Sequence, residues 1–194
     1  MTQFPLEQFA KLETPFYYYD LDLLRETLKC IASEQQKYGY KVHYAVKANA
    51  NPRLLNEIRL AGLGIDCVSG NEVQCALENG FDAKSIVFAG VGKSDWEIQL
   101  ALDANIECFN VESLPELEVI NSLAAKSGKV ATVALRINPN VDAHTHSYIT
   151  TGMEENKFGI GLWEVESIVE AIRSMNNISL KGIHFHIGSQ ITDL

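Results

Sequence analysis

Lys47 is the residue whose type and position could do the most chemistry in this sequence. It follows an apolar run, residues 41–46, that is predicted to be a strand. Alternation along that strand places His43, Ala45 and Lys47 on one face. An amine at the end of a buried strand can lose hydration, which lowers its pKa and makes it a nucleophile. A lysine that simply reaches solvent is the alternative interpretation, and position alone favours it.

A second cluster lies at residues 182–190, where His184 and His186 share one face of a predicted strand. Gly188 and Ser189 follow where that strand ends. A glycine beside a hydroxyl is suited to approach a phosphate through N–H and O–H donors. The two histidines could bind a metal instead, but that interpretation needs a third ligand, and we predict no metal site.

Two charged residues end other predicted strands. Asp66 ends the second strand, and Arg136 lies near the end of the fifth. Each could belong to a core ion pair or to a site, and the strand-end position favours a site. Residues 90–94, Gly-Val-Gly-Lys-Ser, superficially resemble a phosphate-binding loop. They lack the spacing GxxxxGK[ST], so we do not predict a nucleotide-binding loop there.

The elements that position these residues are predicted by short apolar runs that alternate with helical patterns. Strands are expected to begin near residues 41, 64, 85, 106 and 130, and a sixth is expected over residues 178–187. These steps are close to the minimum for a strand and its crossover helix. The pattern predicts an α/β fold with parallel strands, either a doubly wound sheet or a (β/α)8 barrel. No GxGxxG follows the first strand, which weakens the doubly wound alternative.

Helix starts are also visible in the sequence. Ser69 and Ser94 each have a glutamate three residues later, which is the pattern of a capping box, and Ser113 is predicted to cap a third helix. Ahead of the repeat, residues 14–20 are predicted to be a separate aromatic strand. Residues 21–36 are predicted to be a helix that leads into the repeat.

The composition is that of an ordinary globular protein, with 194 residues, a formal net charge of −9 and 46% apolar residues. The acidic balance excludes a general nucleic-acid binder, and no apolar run approaches the roughly 20 residues of a membrane helix. No signal peptide is visible at the N-terminus, so we expect a reducing, cytoplasmic location. The cysteines form no CxxC pair and are expected to be small buried or half-buried residues: Cys30, Cys67, Cys75 and Cys108.

Four segments together resemble the fold-type III pyridoxal-phosphate decarboxylases, a family with an alanine-racemase-like barrel. They are residues 44–49 (YAVKAN), 65–72 (IDCVSGNE), 138–160 and 182–190 (GIHFHIGSQ). The resemblance extends from residue 14 to residue 190, which is nearly the whole chain. Within it, the polar stretch at residues 138–160 points to diaminopimelate as the substrate, and not to ornithine or arginine.

The resemblance implies roles for individual residues. The cofactor would be pyridoxal 5'-phosphate, and the catalytic residue would be Lys47, which would hold the cofactor as an internal Schiff base until the substrate amine displaces it. His186 would stack on the pyridine ring, and Ser189 would donate to the phosphate. The cofactor-binding residues implied in this way are Lys47, His186, Ser189, Asp66, Arg136 and Gly188.

Supporting roles follow from the same resemblance. Asp66 would lie near Lys47 with Arg136 and Glu72 as partners, and His184 would be a packed neighbour of His186. The implied reaction removes CO2 from meso-2,6-diaminopimelate and gives L-lysine. Such cofactors accept the negative charge that is left on the substrate Cα.

The resemblance also implies a (β/α)8 barrel, of which this sequence supplies about six βα units, and a β-domain with no counterpart here. We therefore expect an N-terminal strand and helix over residues 1–40, and part of a cofactor-binding barrel over residues 41–194. The chain would then be an N-terminal part of a homodimeric enzyme. The alternatives are an ornithine, arginine or carboxynorspermidine decarboxylase, a racemase, and an inactive binding or regulatory protein.

Overall fold

The computed structural model describes residues 4–139 and 158–188, which form a parallel sheet with helices between its strands. The strands of this part of the chain are β1 (His43–Ala45), β2 (Gly64–Cys67), β3 (Ile86–Phe88), β4 (Cys108–Val111), β5 (Ala131–Arg136) and β6 (Ile178–His184). The α-helices are α1 (Leu6–Phe9), α2 (Leu21–Tyr38), α3 (Pro52–Leu60), α4 (Gly70–Glu78), α5 (Asp95–Ala104), α6 (Leu114–Lys126) and α7 (Val165–Ile172). Short 3-10 helices lie at Val46–Ala48, Ala83–Ser85 and Leu162–Glu164.

The order of the strands decides between the two predicted architectures. Each strand pairs in parallel with the next one along the chain, in the order β1-β2-β3-β4-β5-β6. In a doubly wound sheet the order of the strands reverses at a switch point, whereas here each strand is added on the same side of the one before it. Right-handed crossovers then place all the connecting helices on one face. The sheet is therefore the wall of a (β/α) barrel, which confirms the predicted fold class.

The core lies between this sheet and its helices. On β2, Ile65 and Cys67 are fully buried, whereas Asp66 between them is only half-buried. Strand alternation therefore turns Asp66 to the face away from the helices. On the helix side, the rings of Phe88 and Phe109 pack with their centroids 6.1 Å apart. The same alternation that builds the core thus presents polar side chains on the other face.

The predicted helix starts are present, with one difference in their hydrogen bonds. Ser69 accepts from the backbone N–H of Glu72, and Glu97 accepts from the backbone N–H of Ser94 at 2.9 Å. The Glu72 carboxylate accepts from the N–H of Val68 at 2.7 Å, one residue earlier than a capping box requires. Because β2 ends at Cys67, the Val68 N–H has left the strand and is free to take this partner.

Residues 14–20 were predicted to be a strand, and this prediction is wrong. No strand forms there, and Tyr17 is 90% exposed. A strand needs a neighbouring strand to accept its backbone hydrogen bonds, and the described residues offer none to this segment. The helix that follows begins as predicted at Leu21, where the Asp20 carboxylate accepts from the N–H of Leu23, and it continues to Tyr38.

The cysteine prediction holds for three of the four residues. Cys67 and Cys108 are buried and Cys75 is half-buried, but Cys30 is exposed on α2. A single residue of α2, Leu28, is buried, so most of this helix faces outward. All four cysteines are free thiols. None of the helices in the described part of the chain is long and apolar enough to cross a membrane.

Glu107, the residue before β4, contacts residues at the start of β1 and in the middle of β6. Its Oε1 accepts from Lys41 Nζ at 2.9 Å and from Lys181 Nζ at 2.7 Å, and the His43 ring lies 3.4 Å from Oε2. Burial alone would raise the pKa of Glu107, but the hydrogen bonds and charges of the two lysines lower it to about 2. The ionised carboxylate thus stabilises contacts between segments that are distant in sequence.

We expect this carboxylate to make stability depend on pH. A depressed pKa means that the stabilisation is complete above the ordinary value of 4.5 and is lost as the pH falls toward 2. The free energies of unfolding at pH 7 and pH 3, obtained from urea titrations, should differ by about 2 kcal/mol less in Glu107→Gln than in the unmodified protein. The exposed Glu118→Gln is the control and should leave the difference unchanged. Equal pH dependence in Glu107→Gln and the unmodified protein would contradict this prediction.

Candidate active site

A cavity of about 330 Å³ lies at the C-terminal ends of the strands. Four of the residues predicted for the site line it together: Lys47, Asp66, Arg136 and His186. Its volume lies in the range of small-molecule sites, and (β/α) barrels build their active sites at this end. A larger cavity of about 710 Å³ between residues 17–21 and the start of α3 contains none of these residues.

Of the other two predicted residues, Gly188 and Ser189, the structure describes only Gly188. Gly188 lies four residues beyond β6 with a φ of +136°, a left-handed conformation that favours glycine. It does not line the cavity, and Ser189 lies outside the described residues. Residues 140–157, most of the polar stretch that pointed to the substrate, also lie outside them.

Lys47 lies in the 3-10 helix directly after β1 and not on the strand itself. Val46 is fully buried and anchors this turn in the core. The Tyr44 O–H donates to the backbone oxygen of Asn49 at 3.1 Å, and the Asn49 side-chain amide donates to the Tyr19 oxygen at 3.0 Å. Contacts on both sides therefore hold the backbone of residue 47, while its amine lines the cavity.

Asp66 supplies a carboxylate to the same wall. Burial raises the pKa of Asp66, and the positive charges of Lys47, His43 and Arg136 oppose this rise only in part. Glu72 adds to the rise through its own negative charge. The protonation of Asp66 is thus linked electrostatically to the charge of the Lys47 amine.

Arg136 is held by a residue that was not predicted from the sequence. Its Nη1 donates to Glu112 Oε1 at 2.8 Å, and the two side chains are only 12% and 3% exposed. The Phe158 ring covers the guanidinium, with its centroid 5.3 Å from Cζ. Arg136 was predicted to support Asp66, but its direct partner is Glu112. The signal that could have identified Glu112 is its position immediately after β4, at the same end of the sheet.

His184 and His186 approach the cavity from the end of β6. Burial lowers the pKa of His184 to about 4, and the positive charge of Arg136, its neighbour across the β5–β6 pairing, adds to the effect. The pKa of His186 is also lowered, mainly by burial and then by Arg136 and Lys47. Both rings are therefore neutral near pH 7 and can offer a flat face to a ligand.

Lys93, from the loop that resembled a phosphate-binding motif, has a structural role. Its Nζ donates to the backbone oxygens of Gly90 and Asn110 at 2.8 and 2.9 Å, and to Glu116 Oε1 at 2.6 Å. The side chain is 1% exposed, so its donors are fully used inside the protein. The contacts fasten Gly90, which lines the cavity, to the end of β4.

Unpaired polar atoms suggest what kind of molecule the cavity accepts. Among the described residues, three buried side-chain atoms have no hydrogen-bond partner, and two of them, Glu112 Oε2 and His184 Nδ1, belong to cavity residues. Buried polar atoms are normally paired, so this wall suits a polar ligand. An amine, a guanidinium and a neutral ring together fit pyridoxal 5'-phosphate, which is a flat, anionic aldehyde. The described residues contain no group of three or more side chains that could hold a metal ion.

Comparisons with known proteins agree with this donor set. Residues 23–194 match the family described as pyridoxal-dependent decarboxylase, pyridoxal binding domain. The chain is 58% identical over 192 residues to diaminopimelate decarboxylase of Bacteroides thetaiotaomicron, a match that covers 98% of this chain and 50% of the relative. It is 42% identical over 191 residues to the Haemophilus influenzae protein of the same name, covering 98% and 46%.

A solved structure extends the likeness to three dimensions. The crystal structure of diaminopimelate decarboxylase from Helicobacter pylori complexed with L-lysine superposes with a TM-score of 0.89 at 42% identity. The match covers 97% of this chain and 48% of that chain. The chain thus spans about half the length of the curated relatives that it matches.

Proposed function

The chain belongs to the pyridoxal-dependent decarboxylases, and from this premise we propose that it serves the decarboxylation of meso-2,6-diaminopimelate to L-lysine and CO2. The observation that carries the choice of substrate is the 58% identity to a diaminopimelate decarboxylase. A second support is that a solved relative of that name is complexed with L-lysine. L-lysine is what remains when diaminopimelate loses CO2 from one end.

In this proposal, Lys47 is the catalytic residue and binds pyridoxal 5'-phosphate through its amine. His186 lies against the ring of the cofactor, and Gly188 and Ser189 receive its phosphate. When bound, the cofactor supplies an electron sink for the charge that remains on the substrate Cα after CO2 leaves. Residues 41–194 would form part of the barrel that surrounds it.

Charge balance in the cavity supports an amino acid as the substrate. Lys47 and Arg136 contribute two positive charges when protonated, and Asp66 and Glu112 contribute two negative charges when ionised. The two histidines are neutral near pH 7 because burial lowers their pKa values. Side chains of both signs therefore line the cavity, and they can face the oppositely charged groups of an amino acid.

The proposal extends to the setting of the enzyme. The family resemblance supports a homodimer, and the four free thiols support a reducing compartment such as the cytoplasm.

We expect the full product of the gene, purified with pyridoxal 5'-phosphate, to release CO2 from meso-2,6-diaminopimelate and to form L-lysine in equal amount. Ornithine and arginine should react at least about 100-fold more slowly, because a site with buried polar groups discriminates strongly against substrates that leave them unpaired. Trapped CO2 and chromatographic lysine measure the two products. Faster reaction of ornithine or arginine, or racemisation without CO2, would contradict the proposed substrate and reaction.

A further inference from the structure

Glu112 is the most buried charged residue on the wall of the cavity. Its side chain is 3% exposed, and the residue directly follows β4. Its backbone N–H donates to Glu116 Oε2 at 2.8 Å, so the side chain starts from a fixed point. Its Oε1 accepts from Arg136 Nη1, and its Oε2 has no partner in the part of the chain that the structure describes.

This arrangement leaves one oxygen of the Glu112 carboxylate without a hydrogen-bond donor among the described residues. Arg136 compensates the charge of Glu112 but occupies only one of its two oxygens. A buried acceptor without a donor costs free energy, and the cost is larger for a charged group. The second unpaired atom, His184 Nδ1, belongs to a residue that lines the same cavity. Two such atoms at one cavity indicate a ligand that brings hydrogen-bonding groups with it.

We propose that Glu112 contacts the ligand of this cavity, with Oε2 accepting a hydrogen bond from a nitrogen-bound hydrogen. The inference rests on the proposed function and goes beyond it, because that function assigns Glu112 no contact. An ionised carboxylate offers only acceptors, and an N–H donor makes the strongest bond when it carries positive charge. Protonated nitrogen is present both on the cofactor ring and on the amino-acid substrate, so the two sources are tested separately.

The test uses the full product of the gene and the variant Glu112→Gln. The amide oxygen of glutamine can still accept from Arg136, while its NH2 group replaces the free acceptor with a donor. One arm titrates cofactor-free protein with pyridoxal 5'-phosphate and follows the absorbance of the cofactor. The other titrates cofactor-loaded protein with L-lysine and follows the heat of binding. We expect the dissociation constant to rise at least tenfold in one arm, which identifies the source of the donor.

Two further variants make the result decisive. Glu112→Asp keeps the charge beside Arg136 but withdraws the carboxylate by one methylene, and it gives the same test if Glu112→Gln does not fold. Glu97→Gln is the matched control, because Glu97 accepts from the backbone N–H groups of Gly70 and Ser94 and does not line the cavity. Its affinities should stay within twofold of the unmodified protein.

The outcomes separate this inference from the proposed function. Affinities within twofold of the unmodified protein in both arms, for whichever Glu112 variants fold, overturn the inference, because the partner of Oε2 is then not the ligand. An equal loss in Glu97→Gln overturns it as well, because the effect would then come from general destabilisation. If the unmodified protein does not bind pyridoxal 5'-phosphate, the proposed function fails first.

Discussion

Replacing Lys47 with alanine is expected to abolish covalent attachment of the cofactor and to reduce CO2 release by at least about 10³-fold. In the described part of the chain, Lys47 is the one lysine that lines the cavity. Arg136 cannot substitute for it, because a guanidinium stays protonated and is not a nucleophile. Reduction of the loaded protein with borohydride, followed by mass spectrometry of the peptide that contains residue 47, measures the attachment directly.

Two controls show whether the loss is specific to the amine. Lys47→Arg keeps a positive charge beside Asp66 and should fail in the same way, which separates the nucleophile from the charge. Lys84→Ala removes an exposed lysine that donates to Asn105 and does not line the cavity, and this variant should keep full attachment and activity. The catalytic role of Lys47 is wrong if Lys47→Ala still carries reducible cofactor, or keeps more than a tenth of the activity.

The barrel architecture could be predicted because its signals are local. Buried strands such as β2 and β4 are short apolar runs, and the helices after β2 and β4 start with serine caps that the sequence shows directly. The error at residues 14–20 has the opposite cause. The aromatic residues and the threonine of this segment favour a strand. A strand forms only where a partner strand lies beside it, and the local sequence does not show whether such a partner is present.

The site was predicted to the extent that strand ends identify it. Lys47, Asp66 and Arg136 all end or follow parallel strands, and such ends meet at one edge of a barrel. Glu112 obeys the same rule but was overlooked, because its residue type shows no function until the Arg136 side chain, 24 residues later, is placed against it. Its role toward a ligand stays a prediction, as do the roles of the other site residues.

Lys93 lies in a loop that resembled a binding motif, but its contacts give it a structural role. We expect Lys93→Met to destabilise the fold by roughly 3–5 kcal/mol, the cost of breaking a buried ion pair by removing one partner. The change strands the Glu116 carboxylate, which is 11% exposed, and leaves the backbone oxygens of Gly90 and Asn110 without their donor. The shift of the urea midpoint at pH 7, followed by circular dichroism, measures the loss.

Two comparisons identify the cause of that loss. In Lys93→Met with Glu116→Gln, the stranded charge is gone while the amide oxygen can still accept from the Glu112 N–H, so part of the stability should return. The exposed Lys84→Met should change stability by less than about 0.5 kcal/mol. A loss below about 1 kcal/mol in Lys93→Met would contradict a structural role. Lys93 also holds Gly90, which lines the cavity, against the end of β4. We therefore expect Lys93→Met to bind pyridoxal 5'-phosphate more weakly, whereas Lys84→Met should bind it with unchanged affinity.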